Sequence, residues 1–107
     1  ILGSEYLRPI YYYENKGSAQ CKTCVMLASL NTPGQMEIFA HKSRDHTELM
    51  FKNLKIPIDI KKGKKIDHIK VSSPKFINNI NFNIPGDISS ASFFIVLTIL
   101  SENSELV

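Results

Sequence analysis

Two short polar segments, each at the expected start of a helix, contain the residue types best suited to binding an anion. In the first segment, Ser18, Ala19 and Gln20 follow Gly17 and open a small, apolar run. A helix start presents unpaired backbone N–H groups, which favour a negatively charged ligand. Ser18 also has a simpler interpretation, as an N-cap that accepts a hydrogen bond from its own helix. The residues alone leave both interpretations open.

The second segment spans residues 43–48 and brings an arginine, a histidine and two carboxylates together. Asp45 followed three residues later by Glu48 resembles a capping box, which predicts a helix start. Arg44 offers a fork of donors that suits a carboxylate or a phosphate. A solvated, well-capped helix start and an anion site therefore both remain possible here.

The remaining chemistry-bearing residues predict no catalytic or metal site. His41, His46 and His68 are scattered, without the spacing of a Ser-His-Asp arrangement, so we assign no nucleophilic catalysis. Cys21 and Cys24 form a CxxC that falls inside the predicted helix and has no second pair to complete a zinc site. We expect two buried thiols in a reducing compartment, no metal and no cofactor.

The composition indicates a globular protein and argues against several other classes. The chain has 107 residues, 43% of them hydrophobic and 21% charged, which suits one small globular domain. A net charge of +3 permits an anionic ligand but does not favour nucleic acid, since no aromatic residues interleave with basic ones. The apolar run at 91–100 is too short to span a bilayer, and residues 1–10 lack a signal-peptide pattern. We expect a cytoplasmic protein without membrane contact, of which this chain is a piece.

Hydrophobic periodicity and turn residues predict a layered α/β fold. Pro9 places the first strand at a sheet edge or marks the start of a strand, and the apolar helices are expected to be buried. The lysine-rich stretch at 61–65 is expected to be a solvated hairpin tip rather than a phosphate or nucleic-acid patch. The predicted elements are a strand at 6–13, a helix at 17–30, a strand at 35–40, a helix from 45 to about 55, hairpin strands at 56–60 and 66–71, a strand at 79–84, a helix capped at 87 or 89 and running to 100, and a strand beginning at 104.

Four motifs in this order resemble 5-enolpyruvylshikimate-3-phosphate synthase of the bacterial kind. The resemblance covers most of the chain, and four ordered motifs are a far stronger signal than any one of them. The motifs are Ser-Ala-Gln-Cys-Lys-Thr at 18–23, Leu-Asn-Thr-Pro-Gly at 30–34, Ser-Arg-Asp-His-Thr-Glu at 43–48, and Pro-Gly-Asp-Ile-Ser-Ser-Ala at 85–91.

The resemblance implies a fold, the inside-out α/β barrel of the enolpyruvyl transferases. In that fold each of two domains consists of β-α-β-α-β-β repeats, with helices inside and sheets outside. Residues 1–84 would form one repeat of the more N-terminal domain. Residues 85–107 would be a helix and a strand start that lead toward the next unit or the other domain. The whole enzyme would be roughly four times this length.

The resemblance also implies an activity and a set of binding residues. The family transfers the enolpyruvyl group of phosphoenolpyruvate to the 5-hydroxyl of shikimate 3-phosphate, without a metal or an organic cofactor. Shikimate 3-phosphate would contact Ser18, Ala19, Gln20 and Arg44, and phosphoenolpyruvate would also lie close to Gln20. The complete enzyme is expected to be a monomer. The family's acid/base residues have no counterpart in this chain, so the chain alone is expected to be inactive.

Two departures from the family and two alternatives complete the interpretation. Residues 15–17 and the two cysteines replace the small or aliphatic residues that relatives tend to have. UDP-N-acetylglucosamine enolpyruvyl transferase shares the implied fold and chemistry, but the motif at 43–48 favours the shikimate enzyme. A non-catalytic α/β module is the alternative from a different class, and the flanking sequence of the parent protein would decide against it.

Overall fold

The computed structural model describes residues 3–107 and contains a four-stranded sheet and three α-helices. The predicted order is confirmed from the first strand to the hairpin, as β-α-β-α-β-β, and a helix follows, but the strands predicted at 79–84 and from 104 are not formed. The elements are β1 (Tyr11–Glu14), α1 (Ala19–Ala28) continued by a 3₁₀ turn (Ser29–Asn31), β2 (Gln35–His41), α2 (His46–Asn53), β3 (Ile58–Lys61), β4 (Ile66–Ser72) and α3 (Ile88–Leu100).

The sheet has the strand order β1-β2-β4-β3. β1 pairs in parallel with β2, and α1 connects them, while β4 pairs antiparallel with both β2 and β3. β1 lies at the sheet edge, as predicted. It begins at Tyr11 and not at residue 6, because Pro9 has no N–H to donate to the neighbouring strand.

The hydrophobic core lies on one face of the sheet, beneath α1 and α2. Met26 of α1 and Phe51 of α2 are fully buried against Ile38, Ile69 and Val71. Burying side chains of this size supplies about 1.5–3 kcal/mol each. The alternation of residues 35–40 predicts that 36, 38 and 40 share one inward face, and all three are buried.

The pattern of α2 predicts an apolar stripe of Leu49, Met50 and Leu54, which is correct in part. Met50 and Leu54 pack against the core, but Leu49 is half exposed and Phe51 is the fully buried residue. Thr47 and Glu48 share the buried side with Phe51, because residues three and four apart lie on one face of a helix. Because Thr47 and Glu48 are polar, a search for apolar residues alone does not identify this buried face of α2.

The opposite face of the sheet carries a row of stacked rings across three strands. Tyr13 stacks on Phe39 with ring centroids 4.8 Å apart, and Phe39 stacks on His68 at 4.3 Å, both with planes 10° apart. In the next row the Glu37 carboxylate lies 2.6 Å from His68 Nε2 and accepts a 3.2 Å hydrogen bond from Lys70. These cross-strand pairs fix how the strands align.

The β3–β4 hairpin turns at a glycine that cannot be replaced without moving the backbone. A Cβ at Gly63 would lie 2.0 Å from the carbonyl oxygen of Ile66. The Gly63 N–H donates a 3.0 Å hydrogen bond to the Asp67 carboxylate, which holds the turn closed. The lysines at this tip are exposed, in agreement with the predicted solvated turn.

Two predicted strands are absent from the part of the chain that the structure describes. Residues 79–84 alternate apolar and polar residues but form no strand, and Phe82 and Ile84 are 52% and 81% exposed. Residues 104–107 form no strand either. A strand needs a neighbour for its backbone N–H and C=O groups, and an alternating pattern does not provide one.

Helix α3 has the predicted cap but not the predicted burial. The Asp87 carboxylate accepts a 3.0 Å hydrogen bond from the Ser89 N–H. No residue of α3 is buried, and Phe93 and Ile99 are 80% and 76% exposed. The apolar face of the sheet is already occupied by α1 and α2. Across residues 3–107, no helix is long and apolar enough to cross a membrane.

Candidate anion-binding site

A tight turn held by a buried carboxylate leads from β1 into α1. Glu14 accepts hydrogen bonds from the N–H groups of Lys16 at 2.9 Å and Gly17 at 2.7 Å. Gly17 has φ +70°, a left-handed conformation that a side chain would strain. Burial acts to raise the pKa of Glu14, but the backbone N–H groups of the turn outweigh it and hold that pKa below its ordinary value. The turn therefore fixes where α1 begins.

The first turn of α1 has the geometry of an anion site. Ser18 is the N-cap, and its hydroxyl accepts a 3.3 Å hydrogen bond from the Cys21 N–H. The helix geometry leaves the N–H groups of Ala19 and Gln20 without an intrahelical acceptor. The Ser18 hydroxyl also lies 3.4 Å from the side-chain oxygen of Gln20. The N-cap interpretation of Ser18 is confirmed, and an anion at this helix start remains compatible with it.

Helix α1 is buried along one stripe only, so the prediction of an enclosed helix was wrong. Lys22, Met26 and Ser29 form the buried stripe at helical spacing. Cys21 and Cys24 lie off that stripe and are exposed free thiols, which corrects the expectation of two buried cysteines. The opposite side of α1 is therefore open to a ligand or to a neighbouring unit.

The start of α2 is built differently from the predicted capping box. Asp45 is the N-cap residue, but its side chain makes no capping hydrogen bond. The Asp45 carboxylate instead accepts a 3.4 Å hydrogen bond from the exposed Lys62. Glu48 does not turn back to the helix start, because its carboxylate forms a buried ion pair with Lys22 of α1. The predicted helix start is confirmed, and the predicted capping box was wrong.

Polar contacts join α1 to the segment that carries Arg44. Lys22 Nζ lies 2.6 Å from Glu48 Oε1 and donates a 2.9 Å hydrogen bond to the carbonyl oxygen of Arg44. The Lys22 and Glu48 side chains are 4% and 7% exposed. The hydroxyl groups of Thr23 and Thr47 meet at 2.6 Å and make a second link. The two helix starts are therefore held side by side.

A cleft of about 530 Å³ lies between these two helix starts. The predicted residues Ala19, Gln20 and Arg44 all line it, although 24 positions of sequence separate Gln20 from Arg44. Ser18 is not among the lining residues; it is the N-cap of α1. The Arg44 side chain is exposed and forms no ion pair within residues 3–107. Thr23, Cys24, His46 and Thr47 contribute further to the walls.

The fourth motif of the sequence contains Asp87, the residue that caps α3. Hydrogen bonds from Ser90 and Ser89 lower the pKa of the Asp87 carboxyl, and the nearby Arg44 charge lowers it further. Asp87 therefore stays ionised at neutral pH.

Sequence reasoning missed the residues that hold the cleft together. Lys22, Thr23 and Thr47 belong to the recognised motifs, but no role was predicted for them. One signal was available, since a lone lysine within an apolar helix needs a buried partner. Ser43 was missed as well: its hydroxyl is buried beside Arg44 and has no hydrogen-bond partner in the described residues.

These features define a mixed α/β unit in which two helix starts share an open cleft lined by an exposed arginine. A family model described as EPSP synthase (3-phosphoshikimate 1-carboxyvinyltransferase) matches residues 1–107. The chain belongs to this family, and the α/β fold expected from the sequence resemblance is that of the family.

Relatives and a solved structure agree with this assignment. The chain is 37% identical to the 3-phosphoshikimate 1-carboxyvinyltransferase of Legionella pneumophila (strain Corby), covering 100% of this chain and 24% of that protein. It is 41% identical to the Caldicellulosiruptor bescii protein of the same name, and the match covers 100% of this chain and 25% of that protein. The EPSP synthase structure from Acinetobacter baumannii matches with a TM-score of 0.64 and 32% identity, covering 87% of this chain and 20% of that one. The chain thus spans about a quarter of the length of the curated relatives.

Proposed function

We propose that this chain is part of an enolpyruvyl transferase that moves the enolpyruvyl group of phosphoenolpyruvate to the 5-hydroxyl of shikimate 3-phosphate. Within that enzyme the cleft between α1 and α2 binds shikimate 3-phosphate. Ser18, Ala19, Gln20 and Arg44 are the binding residues, and Gln20 also faces phosphoenolpyruvate. The family membership and the relatives' names support the reaction.

One observation carries the binding site. Gln20 and Arg44 come from separate motifs and line the same cleft, and the Arg44 guanidinium is exposed there. A guanidinium can donate two parallel hydrogen bonds to a phosphate or a carboxylate. The unpaired N–H groups at the start of α1 add donors of the same polarity. Gln20 can both donate and accept, which suits the hydroxyl groups of a sugar-like ring.

The remaining parts of the proposal concern the whole protein. The acid/base residues that move protons during the reaction lie outside this chain, so the chain alone is proposed to be inactive. The complete enzyme is proposed to be a cytoplasmic monomer. Two free, exposed thiols at Cys21 and Cys24 support a reducing compartment, because neighbouring thiols oxidise readily outside one.

Steady-state kinetics of the full-length protein that contains this chain test the proposal. Arg44→Gln removes the charge but keeps an amide donor, and it should raise the KM for shikimate 3-phosphate by roughly 10- to 100-fold, the value of a charged hydrogen bond. Lys42→Gln is the matched control, because Lys42 is a cation of the same loop that pairs with Asp67 instead. It should leave the KM within about twofold of the wild-type value.

Two results would contradict the proposal. An unchanged KM in Arg44→Gln would exclude the cleft as the acceptor site. Enolpyruvyl transfer to UDP-N-acetylglucosamine, with no transfer to shikimate 3-phosphate, would assign the protein to the sister activity.

A further inference from the structure

Lys22 is a buried cation that the proposed chemistry does not use. It lies in the first turn of α1 with 3% of its surface exposed, and it is not among the residues that line the cleft. A lysine is almost never buried without a partner, since removing its charge from water is costly. Here the Glu48 carboxylate, 2.6 Å away, neutralises that charge. Because Lys22 is buried and does not line the cleft, its ammonium group does not contact a ligand there.

The stability of the fold does not by itself explain the ion pair. Apolar side chains of similar volume often stabilise a core as well as a buried ion pair does, or better. Met26 and Ser29, on the same stripe of α1, show that smaller or apolar residues are accommodated on this side. Lys22 also donates a hydrogen bond to a second acceptor, and an apolar residue could not make that bond.

The second acceptor of Lys22 is the backbone of the residue that carries the cleft's cation. Its Nζ donates a 2.9 Å hydrogen bond to the carbonyl oxygen of Arg44. The neighbouring backbone hydrogen bonds of this loop do not involve Arg44. The Lys42 N–H donates to the carbonyl oxygen of Lys65, and the Asp45 carbonyl oxygen accepts from the Leu49 N–H. Among the hydrogen bonds of the described residues, only the one from Lys22 holds the Arg44 peptide unit. It ties that unit to the helix that presents Gln20.

We propose that Lys22 is a positioning residue for acceptor binding. Through the Arg44 carbonyl it sets the distance and angle between the guanidinium of Arg44 and the start of α1, while Glu48 fixes the ammonium. This inference rests on the proposed binding of shikimate 3-phosphate in the cleft. Its physical basis is that a ligand gripped from two elements binds best when the elements are already in place.

The test uses the full-length protein and variants that keep the buried site neutral. Lys22→Met alone leaves Glu48 as an unpaired buried charge and can prevent folding. The double variant K22M/E48M removes both charges and keeps the volume. We expect it to fold and to raise the dissociation constant for shikimate 3-phosphate about tenfold, the effect typical of groups coupled in one network. The kcat at saturating acceptor should stay within about twofold, because only binding is affected.

A double-mutant cycle with Arg44→Gln separates positioning from a general structural role. In the Arg44→Gln background, K22M/E48M should cause no further loss of affinity, because the group that it positions is already gone. Lys62→Met is the matched control: Lys62 also contacts this loop, through Asp45, but it is 58% exposed. It should bind shikimate 3-phosphate as the wild type does.

The outcomes are distinguishable. If Arg44→Gln weakens binding but K22M/E48M does not, the positioning role is overturned and the proposed function stands. The positioning role is also overturned if K22M/E48M costs the same affinity with and without Arg44. If Arg44→Gln itself binds as tightly as the wild type, the proposed binding site fails, and the inference fails with it.

Discussion

The hydroxyl oxygens of Thr23 and Thr47 lie 2.6 Å apart, where α1 and α2 meet at the wall of the cleft. The ion pair of Lys22 and Glu48 connects the same two helices. The core beneath them is apolar, with Met26 and Phe51 fully buried. Polar contacts at the helix starts therefore set the cleft, and the apolar core sets the sheet packing.

Removing one hydroxyl of the threonine pair should loosen the helix contact. Thr47→Val keeps the shape of the side chain but leaves the Thr23 hydroxyl without its partner. We expect a loss of about 1 kcal/mol in the free energy of unfolding, the usual value of a hydrogen bond. Urea denaturation measures it. Thr47→Ser keeps the hydroxyl and is the matched control; a larger loss in the serine variant would show that the methyl group, not the hydroxyl, matters.

The two ion pairs near Arg44 should differ sharply in their contribution to stability. Glu48→Gln leaves Lys22 buried with an unpaired charge and should cost about 3–5 kcal/mol. Asp45→Asn breaks the exposed pair with Lys62 and should cost less than about 1 kcal/mol, since water screens that pair. Thermal and urea unfolding of both variants checks this. Equal costs would contradict the burial argument.

The glycine at the turn into α1 should not tolerate a side chain. Gly17→Ala places an L-residue at φ +70°, which costs roughly 1–2 kcal/mol. The added Cβ would lie 3.5 Å from the carbonyl oxygen of Lys42, an ordinary contact, so the cost is conformational and not a clash. Gly86→Ala is the control, because nothing lies within 4 Å of its Cβ position. Equal unfolding free energies in the two variants would disprove the strain.

The carboxylate of Glu37 should make stability fall in mild acid. The hydrogen bond from His68 lowers the pKa of Glu37 below its ordinary value; burial opposes this, and Lys70 adds to the lowering. A pKa lower in the folded than in the unfolded state stabilises the fold above the unfolded pKa, and this contribution disappears as the pH falls through the folded pKa.

The pH dependence of the unfolding free energy, from about pH 6 to about pH 3, tests this role of Glu37. Glu37→Gln should flatten the decline, because the amide does not titrate. Glu105→Gln removes a carboxylate from an exposed position near the end of the chain and serves as the control. A decline of the same steepness in Glu37→Gln and the wild type would show that other carboxylates cause it.

Local patterns predicted most of the sheet and the starts of all three helices correctly. The alternation at 35–40 placed β2 and its buried face, and the Ser18 cap placed the start of α1. The division of the chain at residue 84 stays a prediction. Of the site, the resemblance identified Ala19, Gln20 and Arg44, which the structure brings into one cleft.

The errors have a common physical origin in contacts between distant parts of the chain. The pattern at 79–84 suits a strand, but a strand also needs a neighbouring one, which sequence alternation does not reveal. The apolar α3 was expected to be buried, yet the described residues provide no surface that covers it. The carboxylate of Glu48 satisfies Lys22, 26 positions earlier, in preference to its own helix start. Local rules cannot anticipate such a choice.

The stacked row on the outer face of the sheet also protects the chain against mispairing while it folds. Tyr13, Phe39, His68 and Lys61 are direct partners across all four strands. A slip of one residue in any strand would turn its member of the row toward the core and bring an apolar core residue into water. The contacts of the outer row and of the inner core therefore both favour the same register of each strand. A misaligned sheet would lose both sets of contacts at once.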